Sequence, residues 1–414
     1  MYENEQRQET ALLLCVDVGD YDAERSLDEL EELAASAGAQ VTGRVIQKKD
    51  SFDPATVMGS GRIQEVAEYV QANGTDLVIF DHELSPAQQK NVEQALNTKV
   101  IDRTTLILDI FAQRARTSEG RLQVELAQLR YRLPRLMGLG TSLSRLGGGI
   151  GTRGPGESKL ESDRRHIRRR IHYLEEELEE LKQRRGLLRQ RRKKDNVLSV
   201  AIVGYTNVGK STLLNTLTDA GVLAQDMLFA TLDPTSRALL LPDGRKVMLI
   251  DTVGLVSRLP HHLVEAFKST LEEAVNADLI LNVCDVSSPE FDRQLEVTTQ
   301  VLSELGADQT PVLTVLNKCD QVELPPMTAD KHTAAISAKK GWGLDELLEK
   351  ISQNLPETHR RLQLLLPYDK AGLASEIRIE GRVDTEDYRS DGIFLDALID
   401  CRILHKVQDY VVKE

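Results

Sequence analysis

The chain has 414 residues, 41% of them hydrophobic and 28% charged, and a formal net charge of −13. That is enough apolar material for two to four packed domains, and no apolar run approaches the length of a membrane span. The N-terminus, Met1-Tyr2-Glu3-Asn4-Glu5, is acidic and polar, so no secretory leader is expected, and the four cysteines lie far apart without metal-binding spacing. A cytoplasmic protein with reduced thiols is expected.

Residues 1–112 alternate between strand and helix patterns. Strands are expected at Ala11–Val18, Val41–Ile46, Asp76–Asp81 and Val100–Asp102. Helices are expected at Ala23–Ala35 (Leu27, Leu30, Leu33) and Arg62–Val70, and after Ser85-Pro86, a cap residue followed by a first-turn proline. This alternation predicts a small parallel α/β sheet. Met58-Gly59-Ser60-Gly61-Arg62 is an incomplete nucleotide fingerprint and is read as a plain turn. No catalytic residue is assigned to this domain, and it holds no complete ATP motif.

Residues 113–196 differ in character. Residues 114–196 carry 22 basic against 11 acidic side chains, so this stretch is positive within an acidic protein. Leu122, Leu126, Leu129, Leu133 and Leu136 repeat at coiled-coil spacing, as do Leu160, Ile167, Ile171, Leu174, Leu178, Leu181 and Leu188. Two helices joined by one loop pack antiparallel, the second about 55 Å long at ~1.5 Å per residue. Eight glycines fall between residues 137 and 157. Glycine backbone with Arg145 and Arg153, followed by Arg164, Arg165, Arg168 and Arg169 on the second helix, suits RNA phosphates. A structural coiled coil is the rival reading.

Residues 197–356 carry the chemistry. The apolar run 199–203 feeds Gly204-Tyr205-Thr206-Asn207-Val208-Gly209-Lys210-Ser211, then Thr212 and a helical pattern. This is G-x-x-x-x-G-K-[ST] in a strand-loop-helix context. Such a loop turns its N–H groups onto a phosphate chain, Lys210 reaches the terminal phosphates, and the Ser211 hydroxyl ligates Mg²⁺. Phe229-Ala230-Thr231-Leu232-Asp233-Pro234-Thr235 stands where a switch segment belongs. Asp251-Thr252-Val253-Gly254 is D-x-x-G: Asp251 would hold Mg²⁺ through water and the Gly254 N–H would meet the γ-phosphate. Asn317-Lys318-Cys319-Asp320 is N-K-x-D, in which the Asp320 carboxylate accepts both guanine N1–H and the N2 amino group. Ser337-Ala338-Lys339 follows, with the Ala338 N–H assigned to guanine O6. Four such elements in order, each at a strand end, define a site for GTP and GDP. Residues 357–414, with a helix near Ala371–Ile379 and strands at Gly381–Val383 and Gly392–Leu398, predict a small α+β domain.

Taken together, the phosphate loop, Phe229–Pro234, Asp251–Gly254, Asn317–Asp320 and above all Leu146-Gly147-Gly148-Gly149-Ile150-Gly151-Thr152-Arg153-Gly154-Pro155-Gly156-Glu157 resemble the HflX family of translation-factor-class GTPases. The resemblance runs over most of the chain. It implies GTP hydrolysis and ribosome association, mainly through the large subunit and its rRNA, with stress-linked separation of ribosomal subunits in some members. It also selects Thr231 as the switch threonine, a second Mg²⁺ ligand with Ser211, over Thr235. Lys210, Thr231 and Gly254 form the expected catalytic set. Leu255 stands where Ras-like GTPases place a water-orienting glutamine and cannot hydrogen-bond water, so slow turnover, stimulated by the ribosome, is expected. Asn207 occupies the position at which some glutamine-lacking GTPases ligate K⁺. A GTPase of ribosome assembly or RNA modification, and a nucleotide-gated scaffold recruiting protein through the coiled coil, are the alternatives, and a monomer is favoured.

Overall fold

The computed structural model describes residues 8–136, 155–194, 197–218, 235–256, 258, 273–323, 330–357 and 359–412, and the statements below concern these. Two compact units result, one spanning Met1–Lys193 with Val197–Gln353 and the other essentially Asn354–Glu414.

The first unit opens with an all-parallel sheet in the order β2-β1-β3-β4: β1 Thr10–Asp17, β2 Gln40–Lys48, β3 Leu77–Phe80 and β4 Lys99–Asp102. β1 and β3 are buried on both faces, which is why Leu12-Leu13-Leu14 and Val78-Ile79-Phe80 run without alternation. The crossover helices are α1 Ala23–Ser36, α2 Ser60–Asn73 and α3 Pro86–Leu96. Ser85 and Gln88 close the capping box that the Ser-Pro start announced. The segment read as a plain turn at Met58–Arg62 is the entry to α2, with Gly59 as its cap. Sequence reasoning named no helix after β4. One is there, α4 Arg103–Arg114, started by the Asp102 carboxylate, which accepts the Thr105 N–H.

The helical hairpin is α5 Ser118–Arg135 and α6 Pro155–Lys194. Glu119 at the start of α5 pairs with Arg185, whereas Glu125 and Arg130 further along pair with Arg170 and Glu175, earlier on α6, so the two run antiparallel. At 40 residues α6 is about 60 Å long, more than twice the length of α5. Leu174 is fully buried, whereas Leu188, expected in the same seam, is 54% exposed. Glu119 lies in the first turn of α5 and already reaches Arg185, so α5 ends before Leu188 finds a partner.

The nucleotide-type sheet has the order β10-β9-β8-β5-β7-β6. Its strands are β5 Leu198–Gly204, β6 Thr235–Leu240, β7 Lys246–Asp251, β8 Leu279–Asp285, β9 Val312–Asn317 and β10 Thr333–Ala335. All pairs are parallel except β6 with β7. Helices α7 Lys210–Thr218, α8 Phe291–Glu304 and α9 Leu344–Asn354 accompany it. β5 lies between β7 and β8, where chain order reverses, and a parallel sheet opens its ligand crevice at the strand ends beside such a point.

The second unit is an antiparallel sheet β11-β13-β12 (His359–Leu366, Gly392–Asp400, Arg382–Arg389) with α10 Ala371–Glu380. β12 extends well past the expected Val383, because its charged residues lie on an open edge and carry no apolar signal.

Cys15, Cys284 and Cys319 are buried thiols, Cys401 is half-buried, and none is bridged.

Candidate functional site

The loop after β5 is shaped by two glycines. Gly204 has φ +147°, and a Cβ there would lie 2.2 Å from the Val283 carbonyl of the adjacent strand. Gly209 has φ +95°, and its Cβ would lie 2.4 Å from Asn317 Nδ2. Neither position admits a side chain. Asn207 holds φ 61°, a conformation asparagine tolerates better than most residues.

Lys210 opens α7 and is 7% exposed. Its ammonium donates to the Gly204 carbonyl at 3.1 Å and to the Tyr205 carbonyl at 2.6 Å. Burial pulls it down from 10.5 to about 8, against the opposing pull of Asp251. A lysine depressed in the folded state destabilises the fold below that value, and the penalty eases as pH rises from about 8 towards 10.5. Phosphate binding needs the proton. GTP affinity is therefore expected to be level up to about pH 8 and to fall by up to about tenfold per pH unit beyond it. Calorimetric titration between about pH 7 and 9 checks this, with Lys210→Ala giving a flat profile.

Ser211 Oγ donates to Asp251 Oδ2 at 2.9 Å, and Asp251 is fully buried at the end of β7. A hydroxyl and a carboxylate, both hard oxygen donors, thus meet at one point, as a Mg²⁺ site requires. Thr252 Oγ1 ties this strand end to the Ile202 carbonyl at 2.7 Å, and Val253 is buried. The next residues lie on the phosphate loop. The Leu255 N–H donates to the Gly204 carbonyl at 3.1 Å and the Thr206 N–H to the Leu255 carbonyl at 2.7 Å. Leu255 itself is 3% exposed.

The base-reading end is equally connected. Asn317 Nδ2 donates to the Val208 carbonyl at 2.7 Å, so the N-K-x-D segment braces the phosphate loop. The Ala338 N–H, expected on guanine O6, donates to Asn317 Oδ1 at 2.9 Å, because the other end of that amide is committed to Val208. Lys318, at φ 64°, pairs with Asp285 at 2.6 Å, and Cys319 is buried with its N–H on the Ile336 carbonyl. Ser337 Oγ donates to Asp320 Oδ1 at 2.7 Å, and this bond holds the carboxyl below its usual range. Lys339 is exposed. Thr212 lies half-buried in the first turn of α7, whose Thr216 reaches the Ala338 carbonyl. A cleft of about 330 Å³ runs along this end, lined by Asn207, Val208 and Lys318 on one side and by Asp28, Glu29 and Glu32 of α1 on the other.

Phe229, Ala230, Thr231, Leu232 and Asp233 lie outside the described residues, as do Arg145 and Arg153. Thr235, the rival switch threonine, begins β6. Arg165, Arg168 and Arg169 are exposed on α6, while Arg164 is half-buried beside Glu161. Sequence reasoning missed the N-terminal residues that reach this site. The Tyr205 hydroxyl donates to Glu29 Oε1 at 3.0 Å, and Arg258 reaches Asp81 at 2.7 Å. One signal was available: Asp81-His82 directly follows an apolar parallel strand, where ligands and partners of such sheets meet.

A phosphate loop, D-x-x-G and N-K-x-D, each at a strand end of one mostly parallel sheet and tied together by Asn317 and Ser211, define a P-loop GTPase. Residues 24–112 match the family described as GTP-binding GTPase N-terminal, residues 114–192 GTP-binding GTPase Middle Region, and residues 199–318 50S ribosome-binding GTPase. The chain is 52% identical to the GTPase HflX of Caldanaerobacter subterraneus subsp. tengcongensis, over 100% of this chain and 96% of that protein. It is 43% identical to the GTPase HflX of Escherichia coli, over 88% and 87%. It belongs to the HflX family of GTPases. A GTP-binding protein from Sulfolobus solfataricus, solved in complex with GDP, is 27% identical with a TM-score of 0.46, covering 84% of this chain and 98% of that one.

Proposed function

We propose that this GTPase acts on the ribosome in the cytoplasm, binding chiefly the large subunit through rRNA and separating subunits under stress. The observation that carries the reading is the exposed run Arg165, Arg168 and Arg169 on a helix whose chain continues into the phosphate-loop strand. The family match described as 50S ribosome-binding supports it. In this reading residues 1–112 are a regulatory α/β domain and 113–196 an RNA-contacting hairpin with Arg145, Arg153 and Arg164. Residues 197–356 are the G domain and 357–414 a small accessory domain.

Within the G domain, residues 204–212 wrap the phosphates and Lys210 neutralises charge developing on the β- and γ-oxygens. Gly254 offers its N–H to the γ-phosphate. Residues 229–233 form the switch, and Thr231 joins Ser211 on Mg²⁺, with Asp251 acting through water. When bound, Mg²⁺ supplies Lewis-acid polarisation of the transferred phosphoryl group. Asn207 is the proposed K⁺ ligand. Asp320 reads the guanine N1–H and N2 edge, supported by Asn317, Lys318, Cys319 and Ser337–Lys339. Leu255, apolar and buried, orients no water, so basal turnover is slow.

Steady-state GTP hydrolysis with and without purified large subunits in K⁺ buffer tests this. The expected result is stimulation of at least about tenfold, a floor set below the ~10³–10⁵-fold that a partner-supplied arginine gives other GTPases, and its loss on deletion of residues 144–156. No stimulation, with nucleotide binding intact, sinks the ribosome reading in favour of assembly or scaffold roles.

A further inference from the structure

Four residues past Gly254, Arg258 reaches from the G sheet into the carboxyl edge of the N-terminal sheet. One of its nitrogens donates to Asp81 Oδ2 at 2.7 Å and Ser26 Oγ at 3.0 Å, and the other to the Asp81 carbonyl at 3.3 Å. Its guanidinium lies 3.9 Å over the Tyr21 ring. The Asp81 side chain is 0% exposed and that of Arg258 29%. Burial would raise the Asp81 carboxyl, but Arg103 and Arg258 outweigh it and hold the group below its usual value. Arg258 also adopts φ 54°, in the left-handed region that L-residues other than glycine, asparagine and aspartate mostly avoid.

The pair belongs to a longer network. Asp81 Oδ1 accepts from Arg103 at 2.9 Å, Arg103 pairs with Glu29 at 2.7 Å, and Glu29 accepts the hydroxyl of Tyr205 in the phosphate loop. The N-terminal domain therefore grips both the phosphate loop and the turn that follows D-x-x-G.

That turn sits close to the phosphate loop. A Cβ added to Gly254 would lie 2.7 Å from Thr206 Cγ2 and 3.0 Å from Lys210 Nζ, and Leu255 is hydrogen-bonded to Gly204 and Thr206. A phosphoryl group cannot enter between Gly254 and the ammonium while the backbone lies there. Because the Gly254 N–H is the contact expected for the γ-phosphate, a third phosphate meets this turn directly and a diphosphate does not.

We propose that Asp81 and Arg258 are a positioning pair that holds the D-x-x-G turn against the phosphate loop and so biases the site towards GDP over GTP. The proposal rests on the nucleotide site described above and concerns the ratio of two affinities, which a failure of the ribosome reading leaves untouched.

Dissociation constants of fluorescent GTP and GDP analogues for the full-length chain test it. Arg258→Ala is expected to raise the GTP-to-GDP affinity ratio about tenfold, within the range of ordinary coupling energies, mainly by strengthening GTP binding. Arg258→Lys, which keeps the charge but loses the fork, falls between. Asp81→Asn shifts the ratio in the same direction, and the double variant shifts it no further than either single one. If Asp81→Asn fails to melt cooperatively, because Arg103 is left buried with a weaker partner, Arg258→Ala decides alone. A ratio for Arg258→Ala within about twofold of the parent, well short of that coupling range, or shifted towards GDP, overturns the proposal.

Discussion

Replacing Lys210 by alanine is expected to lower single-turnover GTP hydrolysis by about 10²–10³-fold, the usual cost of deleting one preorganised charge-stabilising donor, without lowering the melting temperature. The two halves of this expectation have different causes. Hydrolysis suffers because, in the proposed mechanism, this buried ammonium neutralises the terminal phosphates in a site where water screens little. Stability is spared because that ammonium is an uncomfortable tenant of the folded chain. It is depressed to about 8 by burial and satisfied by two backbone carbonyls rather than a salt bridge. Truncation removes a desolvated charge and leaves two carbonyls that water can enter to solvate. Rapid-quench hydrolysis and a thermal melt without nucleotide check the two halves separately. A loss of less than about tenfold in rate, below the range for such a donor, would show that Lys210 is not the principal charge-neutralising group.

Asp320→Asn is expected to weaken GTP binding by about 10²–10³-fold and to strengthen binding of xanthosine triphosphate. In the proposed reading the carboxylate accepts two hydrogen bonds from guanine, both charge-assisted and so stronger than neutral ones. An amide offers one acceptor and one donor, which clashes with the N2 amino group and matches a carbonyl at that carbon. Ser337 Oγ, now 2.7 Å from Asp320 Oδ1, can donate to an amide oxygen equally well, so the side chain keeps its orientation. Competition titrations with the two nucleotides should show the preference crossing over. Parallel losses for both would mean that Asp320 shapes the loop and does not read the base.

Much of this site was legible in the sequence because its chemistry is local. A phosphate loop is a glycine-framed turn after a strand, and Gly204 and Gly209 announce it without reference to the rest of the chain. The N-K-x-D and D-x-x-G segments follow the same rule. The parallel strands were visible as unbroken apolar runs, and α3 through its cap. What stayed hidden depends on distant partners. Arg258 in isolation is one more surface cation; its meaning comes from Asp81, 177 positions earlier in the chain. The pairing of Tyr205 with Glu29 has the same character. The tie between the Ala338 N–H and Asn317 across the crevice was hidden for a related reason, since it joins two segments 21 positions apart. β12 was cut short because an edge strand of charged residues has no period-2 apolar signal to read. The seam of the hairpin was over-extended because a heptad pattern on one helix does not report the length of its partner.

The buried thiols also bear on how the chain meets an oxidant. Peroxides attack thiolates, and burial pushes Cys15 and Cys284 up to about 12, so at neutral pH only about one such group in 10⁵ is ionised. Burial raises Cys319 as well, and its thiol, inside the N-K-x-D segment, donates to the Leu316 carbonyl at 3.3 Å. The buried thiol within N-K-x-D is thus a weaker nucleophile towards peroxide than an exposed one.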